Sequence, residues 1–440
     1  MSRFQRVTIA LCGVVLLMDG FDAQSMGFLV PPISESLGIP LSSFGPVLAA
    51  ALVGLMIGAM LSGPIADRWG RRWVLILSTL VFGVFSLGTT LSTSVGGFVI
   101  FRFLTGLGLG GALPNVVALA SEYAPARLQP VLVTSIFAGL PAGALVASVI
   151  ASVALPIWGW KSVFFAGGVL PIVIAIALFR HLPESVRFLT VRGADAATIR
   201  GILVRISPEL AGVPLELSGG RTNRTAGLPV TRLFADGRAL GTILLWIPFF
   251  LNLLVLYFMV SWLPALLRQS GMPVSVGVAA VSMFSIGGIV GSLGHGGLIR
   301  RLGGQRTIFI DFCASFVLIV VQASMFASIP ALMVLTFLLG VCVQGAQAGL
   351  NVLAAVFYPT AIRSTGVGWA LSIGRIGSII GPTLGGAMLA LQWTPQEIFR
   401  AGAVPAACAA ITMGLTAVLA GPSNPFTNPS QELSIDSAAE

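Results

Sequence analysis

The feature that most constrains this chain is a succession of apolar runs, each about long enough to cross a bilayer. A membrane-spanning helix needs ~20 mostly apolar residues. Twelve stretches meet that standard, near 7–32, 43–65, 73–92, 97–121, 130–154 and 162–181, then 239–264, 275–299, 306–327, 330–355, 364–390 and 398–420. In lipid every backbone N–H and C=O must be satisfied within the chain, so runs of this kind fold as helices. Composition agrees, with 56% hydrophobic and only 9% charged residues, against roughly 25% charged in a soluble domain. A soluble fold could not cover that much apolar surface with so few polar groups. The expected fold is an all-α membrane protein of twelve transmembrane helices.

The runs fall into two sets of six. Residues 1–182 are expected to form an N-terminal six-helix bundle and 239–420 a C-terminal one. A polar central loop, 183–238, joins them, and the polar tail 421–440 is expected to be disordered. The halves repeat. Pro31 and Pro264 are read as the ends of spans 1 and 7, and Gly63 and Gly296 as the starts of the loops after spans 2 and 8, both pairs 233 residues apart. Pro125 and Pro359, after spans 4 and 10, are 234 apart. Repeats in one orientation place a transported molecule near the bilayer midplane.

The net charge of +9 does not point to nucleic acid, because the basic residues cluster in short loops. With both termini inside, the cytoplasmic face receives Arg3, Arg6, Arg68, Arg71, Arg72, Arg127, Arg300, Arg301, Arg306, Arg363 and nine arginines from Arg180 to Arg238. The outer face receives Lys161, Arg268 and Arg400, while Arg102 and Arg375 lie within spans. This bias fixes the orientation by the positive-inside rule. Arg3 and Arg6 ahead of an apolar run imitate a signal peptide. The run contains Asp19 and Asp22 and continues to Pro32 without a cleavage motif, so it reads as a retained first helix. Cys12, Cys313, Cys342 and Cys408 lie inside spans without metal-ligand spacing. His181 and His295 stand singly near helix ends, and no metal or cofactor is expected.

After span 2 the chain reads Gly63-Pro-Ile-Ala-Asp67-Arg68-Trp-Gly70-Arg71-Arg72. It resembles the loop signature of the major facilitator superfamily, G-x-x-x-D-R-x-G-R-R. Glycine allows a tight turn, and a carboxylate here can cap a helix or pair with arginine, latching one conformation. The expected gating set is therefore Gly63, Asp67, Arg68, Arg71 and Arg72. The second copy, Gly296-Gly-Leu-Ile-Arg300-Arg301-Leu-Gly303, has Arg300 in place of the aspartate. Span 4 carries Arg102-x-x-x-Gly106-x-Gly108-x-Gly110, and Leu182-Pro183-Glu184-Ser185-Val186-Arg187 follows span 6. Both are similar to further signatures of that superfamily. Arg102 is either a buried functional cation or one that snorkels to the outer interface.

Span 1 reads Asp19-Gly20-Phe21-Asp22, and span 11 reads Gly374-Arg375-Ile-Gly377-Ser-Ile-Ile-Gly381-Pro382. These resemble the aromatic acid:proton symporters, in particular the branch carrying hydroxyphenylpropionate and hydroxybenzoate. The resemblance implies proton-coupled import of an aromatic carboxylate by alternating access in the inner membrane, by a monomer with both termini cytoplasmic.

The residues themselves suit that chemistry. Asp19 and Asp22, three apart, share one helical face. Ionised carboxylates inside a membrane are costly, and two close ones titrate as a pair, which suits proton coupling. The other reading of the pair is a structural hydrogen bond to span 4 or 11. Arg375 can hold a carboxylate bidentately. It would receive the substrate, pair with Asp22 until substrate and proton replace it, or form a permanent ion pair. Asn252, Tyr257 and Trp262 on span 7, with the stripe of Gln344, Gln347 and Asn351 on span 10, are the expected polar and aromatic cavity lining. Asp311 is expected near the cytoplasmic interface, paired with Arg301 or Arg306. A drug:proton antiporter and an importer of non-aromatic carboxylates remain competing functions. A membrane enzyme lacks any nucleophile–base set in the sequence.

Overall fold

The computed structural model describes residues 1–125, 128, 132, 135–206, 231–235, 237–325, 328–358 and 362–419. The expected tail and residues 207–230 and 236 of the central loop therefore lie outside the described residues, as do Arg127 and Pro359. The described chain is helical throughout, without a strand. The long helices are α1 (Arg3–Leu37), α2 (Phe44–Trp69), α3 (Arg71–Thr89), α4 (Val95–Tyr123), α5 (Gly139–Trp158) and α6 (Lys161–His181). They are followed by α7 (Ala239–Gln269), α8 (Val274–Leu302), α9 (Gly304–Ser324), α10 (Ile329–Phe357), α11 (Arg363–Ala390) and α12 (Ala403–Leu419). Among the described residues, eleven helices are long and apolar enough to cross a membrane. The remaining long helix, α11, has 28 residues, about 42 Å at 1.5 Å per residue. Its glycines, serines and Arg375 lower its hydropathy without shortening it.

Several boundaries differ from the sequence expectation. Pro31 and Pro264 do not end helices, since α1 runs on to Leu37 and α7 to Gln269. A proline in a membrane helix removes one backbone bond, and neighbouring helices compensate. Likewise Gly63 and Gly296 lie inside α2 and α8. The true breaks are Gly70 and Gly303, with φ of 95° and 85°. Those two are again 233 apart, and only glycine adopts that backbone cheaply.

Contacts divide the chain into two compact units, one of Met1–Met26 with Ala50–Thr225, the other of Gly27–Ala49 with Ala226–Glu440. In the first, α3 packs on α4 and α6 around a core of Cys12, Leu16, Leu75, Val116, Leu119 and Leu178. In the second, α8 packs on α10, α7 on α11, and α9 on α10 and α12, around Phe249, Phe312, Leu350, Phe357 and Ala409. Large apolar side chains such as Ile157, Phe165, Leu293, Val334 and Ile411 are left exposed, which suits contact with lipid.

Close helix approach in both units depends on glycine at repeat-equivalent positions. A Cβ at Gly54 would overlap the Phe103 carbonyl oxygen across the α2–α4 crossing, and one at Gly106 the Ala51 carbonyl. In the second unit Gly287 meets the Phe337 carbonyl and Gly340 the Phe284 carbonyl. Small residues at such crossings let backbones touch, which is how helices associate where lipid supplies no hydrophobic drive. Gly106→Val is therefore expected to destabilise the protein by about 3 kcal/mol, since a backbone neighbour cannot rotate aside. Thermal melting of the detergent-solubilised protein measures this, and an unchanged midpoint would refute it.

Candidate functional site

Some of the polar residues expected to act meet within each unit: Asp22 with Arg102 in the first, and Asn252 with Gln347 and Arg375 with Tyr257 in the second. In the first unit α1 crosses α5 with Gly20 and Gly143 each against a carbonyl of the other helix, those of Leu140 and Leu17. This anchors the turn that carries the aspartates. Asp22 then meets Arg102 of α4, 80 residues away in sequence. Arg102 Nη1 donates to Asp22 Oδ1 at 2.6 Å and Nη2 to Oδ2 at 2.9 Å. Both residues are buried, at 3% and 2% exposure. Of the two readings of Arg102, snorkelling is set aside. The parallel fork is the strong form of this interaction. Arg102 Nε is buried and has no hydrogen-bond partner among the described residues. Asp19, one turn from Asp22, is also buried.

In the second unit Asn252 of α7 stands where Asp19 stands in the repeat, and it is buried. Its Nδ2 donates to the Val343 carbonyl at 3.1 Å and to Gln347 Oε1 at 3.0 Å. Those two acceptors fix the orientation of the amide, and Asn252 Oδ1 is left buried with no hydrogen-bond partner among the described residues. Gln347 in turn donates to Asn351 Oδ1 at 3.4 Å, so part of the α10 stripe joins into one chain of amides. Gln344 donates to the Phe284 carbonyl across the α8–α10 crossing. Arg375 is half-buried on α11, and its Nη1 donates to the Tyr257 hydroxyl at 3.3 Å. Trp262 is fully buried, with its indole N–H donating to the Pro382 carbonyl at 2.8 Å.

The signature after span 2 occupies a helix–helix corner rather than an open loop. Gly63, Asp67 and Arg68 lie in the last turns of α2 and are exposed, while Arg71 and Arg72 open α3. The first free N–H groups of α3 are taken by Glu184, whose Oε1 accepts from Arg71 N at 2.9 Å and Arg72 N at 3.1 Å. A carboxylate at a helix N-terminus is favoured by the orphan donors and the dipole together. The Arg71 side chain pairs with Glu122 at the end of α4. Tyr123 Oη donates to the Glu184 carbonyl at 2.6 Å, and Gln5 Nε2 to the Tyr123 carbonyl at 2.9 Å. Sequence reading assigned no role to Glu184 or Glu122, although the Pro-Glu-Ser run was a visible signal.

Another missed pair was legible in the repeat. Glu35 and Arg268 are 233 apart, the repeat offset, with Arg268 Nε donating to Glu35 Oε1 at 2.6 Å. At 39% and 52% side-chain exposure this pair is worth no more than about 1 kcal/mol. Asp311 also departs from expectation. It pairs with His295, not with Arg301 or Arg306. His295 and Asp311 each lie eight residues from Gly303, so the antiparallel α8–α9 hairpin sets them at the same height, while both arginines are exposed.

Long apolar helices in two repeated units, with buried charges paired within each unit, suit a membrane transporter. Residues 12–321 match the family model of the Major Facilitator Superfamily, and the chain belongs to that superfamily. Within it the chain falls in the aromatic acid transporter branch. It is 40% identical to the 4-hydroxybenzoate transporter PcaK of Pseudomonas putida, over 93% of this chain and 92% of that one. It is 33% identical to the 3-(3-hydroxy-phenyl)propionate transporter of Escherichia coli, over 90% of each chain. Among solved structures, the partially occluded inward-open xylose transporter XylE of E. coli matches with a TM-score of 0.72 at 17% identity, covering 94% of this chain and 98% of that one. That likeness concerns the fold.

Proposed function

We propose that this protein imports an aromatic hydroxycarboxylic acid together with a proton, by alternating access. In this reading it is a monomer in the cytoplasmic membrane, with both termini in the cytoplasm. The observation that carries the reading is the buried Asp22–Arg102 fork. While Asp22 is ionised the fork is neutral as a whole. A proton on Asp22 cancels the carboxylate and leaves Arg102 buried without a counter-charge, which costs about 3–5 kcal/mol. An incoming organic anion offsets the added positive charge over the protein as a whole, its own carboxylate held at Arg375. Proton and carboxylate thus enter as a pair, and neither alone is favoured. Asp19, on the same helical face one turn away, is the second carboxyl assigned to proton coupling. The relatives' names supply the substrate class, 4-hydroxybenzoate and 3-(3-hydroxyphenyl)propionate. Arg375 is the guanidinium for the substrate carboxylate, with Tyr257 beside it. The Asn252–Gln347 amides suit a ring hydroxyl, because Asn252 Oδ1 has an acceptor position to offer. The corner held by Arg71, Glu122 and Glu184 is the gating latch.

Uptake of labelled 4-hydroxybenzoate into proteoliposomes tests the reading. Accumulation above equilibrium is expected only with an imposed proton gradient, collapsing when a protonophore is added. Accumulation indifferent to the protonophore would overturn the coupling. No uptake of any aromatic acid, with small dicarboxylates accumulated instead, would overturn the substrate class.

A further inference from the structure

The buried His295–Asp311 pair of the second unit has no part in the function proposed above. His295 Nδ1 lies 2.6 Å from the Gly291 carbonyl oxygen, and Nε2 lies 2.8 Å from Asp311 Oδ2. The residues are 4% and 5% exposed. The hydrogen bonds determine how many protons the pair carries. A carbonyl oxygen only accepts, so Nδ1 must bear a hydrogen. The 2.8 Å contact then requires one more proton, on Nε2 or on Oδ2. Without it a carboxylate would face the lone pair of a nitrogen, and the contact would be repulsive. In either placement the pair is neutral and holds one removable proton.

The surroundings are built for this pair and leave it a route to the outside. Gly345 of α10 makes room for the imidazole, since a Cβ there would overlap the ring. His295 lines a groove along α8 with Val290, Gly294, Gly297, Leu298 and Arg301, and with Val341 of α10. Gly294 and Gly297 have open space where a side chain would stand. Among the described residues, the charged and titratable groups facing the pair are few. Arg301 of α8 borders the groove, Cys342 of α10 lies within the field of Asp311, and Arg306 sits exposed in the first turn of α9. From α12, the uncharged Met413 and Thr416 meet α9 at Gln305.

We propose that His295 and Asp311 form a second proton-binding site, separate from the aspartates of α1, which exchanges one proton with water through the groove beside Arg301. On release the Nε2–H or Oδ2–H bond breaks, the proton passes to water, and the electron pair stays on the nitrogen or oxygen. The remaining carboxylate and imidazole lone pair repel, and the α8–α9 contact loosens. On binding the reverse occurs. Occupancy of this site makes the second unit sensitive to pH on the groove's side, the side that the arginine bias gives to the cytoplasm.

The chain has 2 histidines, which makes a direct test practical. The full-length protein, labelled with 15N-histidine in lipid nanodiscs, is compared with His181→Gln for assignment and with Asp311→Asn. The expected result is a His295 ring protonated at Nδ1, with an Nε2 resonance intermediate between its protonated and bare values. That intermediate position is lost in Asp311→Asn. A ring with bare Nδ1, or identical spectra in wild type and Asp311→Asn, would overturn the proposal. A second measurement follows initial uptake while pH is varied on the groove's side alone. A one-proton step is expected in the wild type and absent from both His295→Gln and Asp311→Asn. A step that survives in either variant also overturns it. A purely structural pair would lower melting temperature in the variants and leave the step in place. The spectra need no substrate, so they stand or fall separately from the import reading.

Discussion

Arg102→Ala is expected to lower proton-driven uptake by about two to three orders of magnitude. The substitution strands Asp22, a carboxylate buried at 3% exposure, without its partner. Breaking a buried pair from one side costs about 3–5 kcal/mol, and 1.4 kcal/mol is about tenfold. A variant that merely fails to fold would give the same loss, so a double variant is needed. Asp22→Asn with Arg102→Gln removes both charges and keeps similar volume, and such replacement of a buried pair is often neutral for stability. The double variant is expected to melt near the wild-type temperature, to exchange labelled substrate for unlabelled, and to lose accumulation against a gradient. Full accumulation by this variant would show that the proton does not travel through Asp22.

The second large effect is expected at Arg375. Arg375→Ala removes the guanidinium assigned to the substrate carboxylate. A charged hydrogen bond is worth about 1.5–3 kcal/mol, so half-saturation is expected to rise about 10- to 100-fold. Arg375→Lys keeps the charge and loses the planar fork, and is expected to recover only part of that loss. Tyr257→Phe removes a single 3.3 Å hydrogen bond and is expected to cost about two- to tenfold. Uptake kinetics at fixed proton gradient separate the cases. A fall in maximal rate with unchanged half-saturation in Arg375→Ala would move this residue from substrate binding to conformational coupling.

The residues differ in how far the sequence announced them. The apolar runs were legible because lipid leaves the backbone no partner but itself. The repeat was legible in Pro31 with Pro264 and Gly63 with Gly296, although these punctuate helices from within, not from their ends. The offset survives more sharply in packing. It links the Gly70 and Gly303 turns, and Gly54 with Gly287 at the crossings. Arg102 and Arg375 were conspicuous as charges in apolar spans, but their partners were not. The sequence left Arg102 between burial and snorkelling, because depth along a helix depends on which neighbour reaches it. Asp311 was assigned to the nearest arginines, whereas its partner sits at equal height across a hairpin. Glu184 was seen as part of a motif, but its role as the cap of α3 depends on α6 ending beside α3.

What the sequence by itself determined is the solvent, the helix count, the repeat and the identity of the buried charges. These follow from local composition and from the obligation of each span to satisfy its own backbone. What only the tertiary structure decided is who meets whom. The fork joins residues 80 apart, the Glu184 cap joins residues more than 100 apart, and the His295–Asp311 pair takes its meaning from two distances. Ion pairs and hydrogen bonds form or fail on differences of a few tenths of an ångström, and those are set by how closely glycine lets the helices approach.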